Sequence, residues 1–420
     1  MSVSVSPSIP TTNAVDPARW PDVASVPQCS RARAAGAELT VRRALARLPL
    51  MVRLRGAETL GRGGPLMEVH HPEAFFRRIG ATGLIGFGES YMAREWEADD
   101  LVGVLTVLAE NVSTLMPQSL QRLRDLWTRR QPEAQRNTLE GSRENIHRHY
   151  DLSNDLFSLF LDETMSYSSA VFRGFPAERS LLADAQHRKI DRLLDAAGVG
   201  AGTQLLEIGT GWGELAIRAA ARGARVLSVT LSREQRDLAV QRIAAAGHAD
   251  RATVLLRDYR EVIGRYDAVV SVEMVEAVGA EFWPVYFTAL DRLLVPGGRA
   301  ALQTITMPHD RLLASRDTFT WIQKYIFPGG LLPSVEAIEQ ITEAHTRLRV
   351  TERAQFGAHY AETLRLWRER FTERAHEVAA LGFDETFHRM WTFYLAYSEA
   401  GFRARYLEVQ QLLLTKEEST

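Results

Sequence analysis

The residues best suited to chemistry begin with a glycine-rich run between a strand-like and a helix-like segment. The run reads Leu205-Leu206-Glu207-Ile208-Gly209-Thr210-Gly211-Trp212-Gly213. Its glycines allow a sharp turn and a close approach of the backbone to a ligand, and the first N–H groups of the following helix can bind an anion. Dinucleotide enzymes use a similar turn, so the run predicts a cofactor site without choosing the cofactor.

The next strand-like segment helps to choose it. A nicotinamide enzyme usually ends this strand with an Asp or Glu that binds the ribose, whereas this chain has Ser228-Val229-Thr230, followed by Ser232 and Gln235. A dinucleotide is therefore disfavoured. Ser232 and Gln235 also have the spacing of a helix-capping box, which needs no ligand, and the two roles are compatible.

Asp258 and Tyr259 end a third strand-like segment. This is the edge at which open α/β sheets bind ligands, although both residues can equally serve the turn itself. We include them in the predicted cofactor site.

The elements that must position these residues follow an alternating pattern from about residue 201 onward. Strand-like runs alternate with helical stretches, which predicts a parallel sheet covered on both faces. Two helices, Ala361–Arg374 and Glu385–Ala400, are expected near the C-terminus, with Glu408–Leu414 as an antiparallel edge strand. The predicted parallel strands are Gln204–Ile208, Ala224–Thr230, Ala252–Asp258, Asp267–Val272 and Arg299–Ile305.

Four regions are predicted from composition: a disordered leader at 1–38, a small N-terminal domain at 39–117, a basic linker at 118–148 and a cofactor-dependent domain at 149–420. The small domain is expected to contain a strand and two helices. The linker alternates arginines with acidic residues, and two interpretations remain open: a solvated helix, or a surface that meets anionic lipid headgroups. The predicted elements of the small domain are Leu66–Val69, His71–Arg78 and Asp99–Asn111.

The overall composition excludes several classes of protein. The 50 Lys and Arg nearly balance the 52 Asp and Glu, so no overall positive charge is available to bind nucleic acid. The single cysteine, Cys29, excludes an internal disulfide and a cysteine-based metal cluster, and we predict no metal site. Neither a membrane span nor an export signal is recognisable. We expect a cytoplasmic protein, peripheral on the inner face of the membrane.

Several longer motifs occur in a fixed order along the chain. On these motifs the chain resembles the cyclopropane fatty acid synthases, the related mycolic acid methyltransferases, and the actinobacterial enzymes that make 10-methylene or 10-methyl branched fatty acids from oleoyl lipid. The small domain matches more weakly, through residues 86–92. The matching segments are residues 145–157, Met165-Ser166-Tyr167-Ser168-Ser169, the Gly209–Gly213 turn, residues 323–330, His359-Tyr360-Ala361-Glu362-Thr363-Leu364 and residues 401–405.

The resemblance implies an α/β fold: a Rossmann-like class I methyltransferase with a mostly parallel seven-stranded sheet, plus a smaller N-terminal α+β domain. The implied cofactor is S-adenosylmethionine. To the implied contacts we add Glu207, Gly213 and Asp258 from the same turn and strand end. The positions that correspond to the family's cofactor contacts are Tyr167, Ser168, Gly209, Gly211, Thr230, Gln235 and Tyr259.

The resemblance also implies a general base. Family members hold a bicarbonate ion with a Cys, a Glu, a His, a Tyr and the backbone carbonyl of an Ile. Glu276, Tyr360 and Ile305 occupy three of these positions, whereas Ser169 replaces the Cys and Gln303 replaces the His. Glu276 is the only strongly basic side chain among them, so we predict that Glu276, or an anion held by this set, takes up a proton.

The chemistry of an alkene sets what such a site must do. An alkene is a poor nucleophile, so the rate must come from alignment with the methyl group and exclusion of water. Methyl transfer leaves a carbocation, which the aromatic faces of Tyr167 and Tyr360 suit. Early loss of a proton closes a cyclopropane, whereas delayed loss allows a hydride shift and then an exocyclic methylene. Because Gln303 cannot carry a positive charge as His can, we favour the methylene product.

Alternatives remain open at this point. The chain is predicted to convert the oleoyl chain of a phospholipid to a 10-methylene-stearoyl type product. A cyclopropane-fatty-acyl-phospholipid synthase, a methyltransferase of a soluble small molecule and a non-catalytic cofactor-binding relative are the other hypotheses. A separate reductase and a homo-oligomer are further partners to test. Six aromatic residues can either line an acyl channel or form core: Trp283, Phe287, Phe319, Trp321, Tyr325 and Phe327.

Overall fold

The computed structural model of the protein describes residues 15–56, 58–112 and 153–418. The predicted linker at 118–148 lies outside these ranges, as does the first part of the predicted leader. Within them, the strands form two sheets. The strands are β1 (Met51–Leu54), β2 (Glu58–Gly61), β3 (Leu66–Val69), β4 (Trp96–Glu97), β5 (Gln204–Ile208), β6 (Arg225–Thr230), β7 (Ala252–Leu256), β8 (Tyr266–Val272), β9 (Leu294–Thr306), β10 (Leu348–Gln355) and β11 (Glu408–Lys416).

Helices cover both sheets. Three short 3-10 turns at Arg179–Leu181, Tyr259–Glu261 and Ala280–Phe282 supplement them in the described ranges. The α-helices are α1 (Pro21–Ala24), α2 (Arg31–Leu45), α3 (Pro72–Thr82), α4 (Leu84–Met92), α5 (Leu101–Glu110), α6 (Asn154–Phe160), α7 (Leu182–Ala196), α8 (Glu214–Ala221), α9 (Arg233–Ala245), α10 (Val275–Val278), α11 (Trp283–Leu293), α12 (His309–Ser315), α13 (Trp321–Tyr325), α14 (Val335–His345), α15 (Gly357–Glu373), α16 (Ala375–Ala380) and α17 (Glu385–Arg403).

The small domain is an α+β unit. Its sheet has the order β2-β1-β3-β4, in which β1 and β3 are parallel. The predicted strand at Leu66–Val69 is confirmed, and the two predicted helices correspond to α3 and α5. Asp100 caps α5 by accepting a hydrogen bond from the Gly103 N–H at 2.8 Å. Helix α4 contains Gly86 and Gly88. Gly88 lets this helix pack closely on Trp321, because a Cβ there would lie 2.5 Å from the indole.

The boundary of the leader differs from the sequence-based placement at residue 38. Helix α2 begins at Arg31, where the Ser30 hydroxyl accepts a hydrogen bond from the Arg33 N–H at 3.3 Å. Cys29 is partly buried beside Gly80 of α3. Ser, Pro and Ala content alone does not show that α2 has α3 to pack against, which is why composition places the boundary too late.

The large sheet has seven strands in the order β10-β11-β9-β8-β5-β6-β7. Strands β9, β8, β5, β6 and β7 are mutually parallel, and β11 is antiparallel to both of its neighbours. The predicted mostly parallel seven-stranded sheet is therefore confirmed. The expectation that residues 408–414 form an edge strand is wrong, because β10 pairs with the outer side of β11. Strand β10 was not predicted, because it contains Arg and Glu, is half exposed and has little hydrophobic pattern.

One hydrophobic core joins the small domain to the C-terminal helices. Phe393 of α17 contacts Trp96 of β4 edge to face, with ring centroids 6.3 Å apart, and Trp321 of α13 in the same way at 4.9 Å. Asp384 starts α17 by accepting from the Phe387 N–H at 2.7 Å. Among the described helices, none combines the length and apolar character needed to cross a bilayer.

Candidate active site

The glycine-rich run forms the predicted turn between β5 and α8. Gly209, Gly211 and Gly213 have φ angles of 94°, 52° and 92°, in the left-handed region that favours glycine. A Cβ at Gly209 would lie 2.7 Å from Met274, and one at Gly213 would lie 3.1 Å from Ala239. Gly211 differs, because a Cβ there would meet no described atom outside its immediate chain neighbours within 4 Å and would face the cavity. This is the point at which a ligand can reach the backbone.

Glu207 lies on β5 directly before the turn and is 2% exposed. The Ser228 hydroxyl donates to its carboxyl group at 2.6 Å, and the Thr210 hydroxyl lies 2.7 Å from that of Ser228. Burial raises the pKa of Glu207 to about 8. This shift favours the protonated carboxyl group, which can donate a hydrogen bond to a ligand as well as accept one.

Thr230, Ser232 and Gln235 form one hydrogen-bonded group at the end of β6. The Ser232 hydroxyl caps α9 by accepting from the Gln235 N–H at 3.2 Å. The predicted capping box is only half formed, because the Gln235 side chain accepts from the Thr230 hydroxyl at 3.0 Å and the Ser232 N–H donates to that same hydroxyl at 3.1 Å. Thr230 and Gln235 also line the cavity, so the capping and ligand-facing roles coexist.

Asp258 and Tyr259 follow β7 at the same edge of the sheet and line the cavity. The Asp258 carboxylate accepts from the backbone N–H of Arg260 at 2.9 Å and pairs with its guanidinium at 2.7 Å. Asp258 therefore stabilises the turn through Arg260. The Tyr259 hydroxyl is buried without a hydrogen-bond partner among the described residues, which leaves it available to a ligand.

Tyr167 and Ser168, two further residues predicted to contact the cofactor, also line the cavity. The Tyr167 hydroxyl lies 2.7 Å from the Tyr394 hydroxyl. The Ser168 hydroxyl accepts from the Lys189 ammonium at 2.7 Å. Burial lowers the pKa of Lys189 to about 8. Sequence reasoning missed Lys189, although its position on the buried face of α7, between Ala185 and Leu193, was a usable signal.

The described residues around the turn enclose a cavity of about 1420 Å³. A site for one drug-sized ligand has roughly 300–1,000 Å³, so this cavity has room for a cofactor and a second molecule. One end is lined by the glycine turn and the other residues predicted to contact the cofactor. The other end lies between the small domain and α17 and is lined by Val41, Leu45, Phe75, Ile79, Ile85, Leu105 and Leu108.

The six aromatic residues divide between the two roles left open by the sequence. Phe319, Trp321 and Phe327 line the cavity, whereas Trp283 and Phe287 belong to the core under the large sheet. The Tyr325 hydroxyl donates to buried Glu89 at 2.9 Å. Sequence alone could not separate these roles, because they depend on packing: α13 contacts α4 of the small domain, Phe327 contacts Tyr394 of α17, and α11 contacts β9 of the large sheet.

Glu276 and Ile305 form one contact of the predicted catalytic set. The backbone N–H of Ile305 donates to the Glu276 carboxyl group. Burial and the neighbouring negative charge of Glu273 raise the pKa of Glu276 to about 8. Glu276 lines the cavity, and its raised pKa favours the protonated carboxyl group.

Ser169, Gln303 and Tyr360 converge on a residue that the sequence did not single out, Glu273. The Ser169 N–H and the Gln303 amide each donate to Glu273 Oε1 at 2.9 Å, and the Tyr360 hydroxyl donates to Oε2 at 2.9 Å. Glu273 has a left-handed φ of 52°, an uncommon conformation for a non-glycine residue and one that clusters at functional sites. Its position directly after β8, at the ligand-binding edge of the sheet, was the available signal.

Comparison with known proteins assigns the chain to a family. A model of the family "Mycolic acid cyclopropane synthetase" matches residues 137–412. The chain is 55% identical to tuberculostearic acid methyltransferase UfaA1 of Mycobacterium tuberculosis over 424 residues, covering 99% of each chain. It is 35% identical to the cyclopropane-fatty-acyl-phospholipid synthase of Escherichia coli over 360 residues, covering 83% of this chain and 87% of that one.

Solved structures support the same family assignment. The cyclopropane synthase MmaA2 from Mycobacterium tuberculosis superposes with a TM-score of 0.60 at 32% identity, covering 65% of this chain and 98% of that one. Mycolic acid cyclopropane synthase CmaA1 complexed with SAH and CTAB also gives 0.60, at 31% identity, covering 68% of this chain and 99% of that one. The chain therefore belongs to the mycolic acid cyclopropane synthetase family of S-adenosylmethionine-dependent methyltransferases.

Proposed function

We propose that this protein methylates a double-bond carbon of an unsaturated acyl chain in a membrane phospholipid and that its product is a methylene-branched chain of the 10-methylene-stearoyl type. The observation that carries the proposal is the continuity of the cavity. It joins the glycine turn, the carboxyl groups of Glu273 and Glu276, and an apolar end between the small domain and α17. That combination suits a cofactor held against the middle of a long apolar chain.

The residues of the chain supply alignment, exclusion of water and charge stabilisation. When bound, S-adenosylmethionine provides an electrophilic methyl group. The apolar walls hold the alkene in line with it without competing water. The carbocation formed on the acyl chain is stabilised by aromatic faces on the cavity wall, among them Tyr167, Tyr360 and Phe402. A cation–aromatic contact contributes roughly 2 kcal/mol when desolvated.

The reaction ends with loss of a proton. Bicarbonate is the base that the resemblance implies, and Ser169, Gln303 and Tyr360 occupy three of the positions that would hold it. These three groups already donate to Glu273, so a separate anion fits only if that side chain moves away. Glu276 is the other carboxyl group on the cavity wall, and burial together with the negative charge of Glu273 raises its pKa.

The product distinguishes this proposal from its alternative, a cyclopropane synthase. With dioleoyl phospholipid and S-adenosylmethionine labelled in the methyl group, we expect a methylene-branched C18 chain, identified by gas chromatography–mass spectrometry and proton NMR. Distearoyl phospholipid is the matched control and should remain unlabelled, since it has no double bond. Cyclopropane as the sole product would contradict the methylene assignment, and labelling of dispersed small molecules but not of bilayer lipid would favour a soluble substrate.

Two partners belong to the same proposal. Reduction of the methylene to a methyl branch requires a hydride donor, and we propose that a separate reductase supplies it. Adding such an enzyme with reduced nicotinamide or flavin should convert the branch to saturated methyl. A homo-oligomer remains a prediction that sedimentation can test.

We also propose that the protein acts as a peripheral protein at the inner, cytoplasmic face of the membrane. Leu84 lines the cavity and is 66% exposed, which suits it to contact lipid where an acyl chain enters. Because the arginines of the predicted linker at 118–148 can meet anionic headgroups, binding to vesicles should rise with anionic lipid and fall with salt. Leu84→Glu should weaken binding in a sedimentation assay, whereas Ile263→Glu, at a position 75% exposed but not on the cavity wall, should not. Salt-independent binding, or equal effects of the two variants, would contradict this arrangement.

A further inference from the structure

Groups from three distant parts of the chain surround the Glu273 carboxylate. Ser169 follows the Tyr167-Ser168 motif, Gln303 lies on β9 and Tyr360 lies on α15, yet each donates a hydrogen bond of 2.9 Å to Glu273. These are three of the positions that the family resemblance assigns to a bound bicarbonate. The group they hold here belongs to the chain itself.

Burial and further hydrogen bonds fix Ser169 and Gln303 in the positions from which they donate to Glu273. Ser169 and Gln303 are each 1% exposed and lie behind Glu273, whereas Glu273 and Tyr360 reach the cavity wall. The Gln303 amide is fixed by further bonds, since it donates to the Ser169 carbonyl at 3.2 Å and accepts from the Gln411 amide at 3.0 Å. An anion entering from the cavity would therefore meet the Glu273 carboxylate in front of these donors.

The surrounding charges also favour one resident anion. Burial raises the pKa of Glu273, and the hydrogen bonds from Ser169 and Gln303 and the positive charge of Lys189 oppose that rise. A second anion beside Glu273 would add like-charge repulsion in a buried site. Glu276 shows this effect, because the negative charge of Glu273 contributes to its raised pKa.

We propose that the Glu273 carboxylate is the general base of this enzyme and takes the place of an external bicarbonate ion. In the final step a C–H bond of the transferred methyl group breaks, and its electron pair forms the C=C bond of the exocyclic methylene. The proton passes to Glu273, which becomes a neutral carboxylic acid and later releases the proton to solvent. Ser169 and Gln303 are then positioning residues that hold the carboxylate. The inference rests on the proposed function, because it concerns the last step of that reaction.

The test compares the unmodified enzyme with two variants, using dioleoyl phospholipid vesicles and S-adenosylmethionine. The unmodified enzyme should turn over equally fast in carbon dioxide-free buffer and in buffer with added bicarbonate. Glu273→Gln should lower turnover by about 100-fold or more, as loss of a general base does. Glu273→Gly removes the side chain in front of the donors, so added formate or bicarbonate should restore part of its activity, whereas Glu273→Gln should not respond. SAH affinity within about threefold of the unmodified value, by calorimetry, shows that both variants fold.

Several results would overturn the assignment. They are a requirement of the unmodified enzyme for bicarbonate, turnover of Glu273→Gln within threefold of the unmodified value, or a Glu273→Gly variant that binds SAH normally but responds to neither anion. If the unmodified enzyme does not methylate the lipid at all, the proposed function fails instead. The two failures are therefore distinguishable.

Discussion

Gly211→Val is expected to abolish S-adenosylmethionine binding while the protein remains folded. Gly211 lines the cavity, and a Cβ added there would meet no described atom beyond its chain neighbours within 4 Å. The two methyl groups of valine would therefore occupy the space through which a ligand approaches the backbone. We expect affinity to fall by about 100-fold or more, roughly 2.8 kcal/mol, as measured by calorimetry with SAH and S-adenosylmethionine.

The matched control is Gly247→Val. Gly247 also has a left-handed φ, of 79°, and open space where a Cβ would be placed, but it follows α9 away from the cavity. Both variants carry the same kind of backbone strain, about 1–2 kcal/mol for a non-glycine residue, which a typical stability of 5–15 kcal/mol tolerates. Only Gly211→Val should lose binding. Undiminished binding by Gly211→Val would remove the glycine turn from the cofactor site.

Arg78→Met is expected to cause a large loss of stability. The Arg78 side chain is 1% exposed and donates to Glu95 at 2.7 Å and to the carbonyl groups of Asp22 and Val23 at 2.8 and 2.6 Å. It therefore ties the segment before α2 to the small domain. Removing one partner of a buried ion pair costs roughly 3–5 kcal/mol, because the other charge remains buried without compensation. Urea unfolding followed by fluorescence should show a clearly lower midpoint, with earlier proteolysis near residue 22.

The loss should depend on pH with a defined sign. Burial raises the pKa of Glu95, and Arg78 opposes that rise. Without Arg78 the pKa rises further, so the penalty applies where Glu95 is ionised and shrinks as the pH falls through its raised pKa. Arg77→Met, on the same helix but partly exposed, is the control and should change stability by less than about 1 kcal/mol. Equal effects of the two variants would contradict a buried ion pair.

Much of the fold follows from local sequence. The parallel strands read as short β-rich runs separated by helices, and four of the five predicted runs match strands to within two residues at each end. The fifth, β9, extends further in both directions, from Leu294 to Thr306. The glycine turn was equally visible, because a left-handed φ at Gly209, Gly211 and Gly213 is a property of the local backbone. Strand β10 was not, because a polar edge strand has little hydrophobic pattern.

The active-site predictions divide in the same way between what local sequence shows and what depends on tertiary packing. The family resemblance selected Ser169, Gln303, Tyr360, Glu276 and Ile305 as the positions of the bicarbonate site. It could not show that the first three share one acceptor, because residue 169 in the loop before α7, residue 303 on β9 and residue 360 on α15 meet only when these segments pack around the end of β8. Sequence thus determined the cofactor turn, the parallel sheet and the residue types at the site. The tertiary structure alone decided that Glu273 receives the three hydrogen bonds, because burial and convergence of distant donors are properties of packing and not of spacing along the chain.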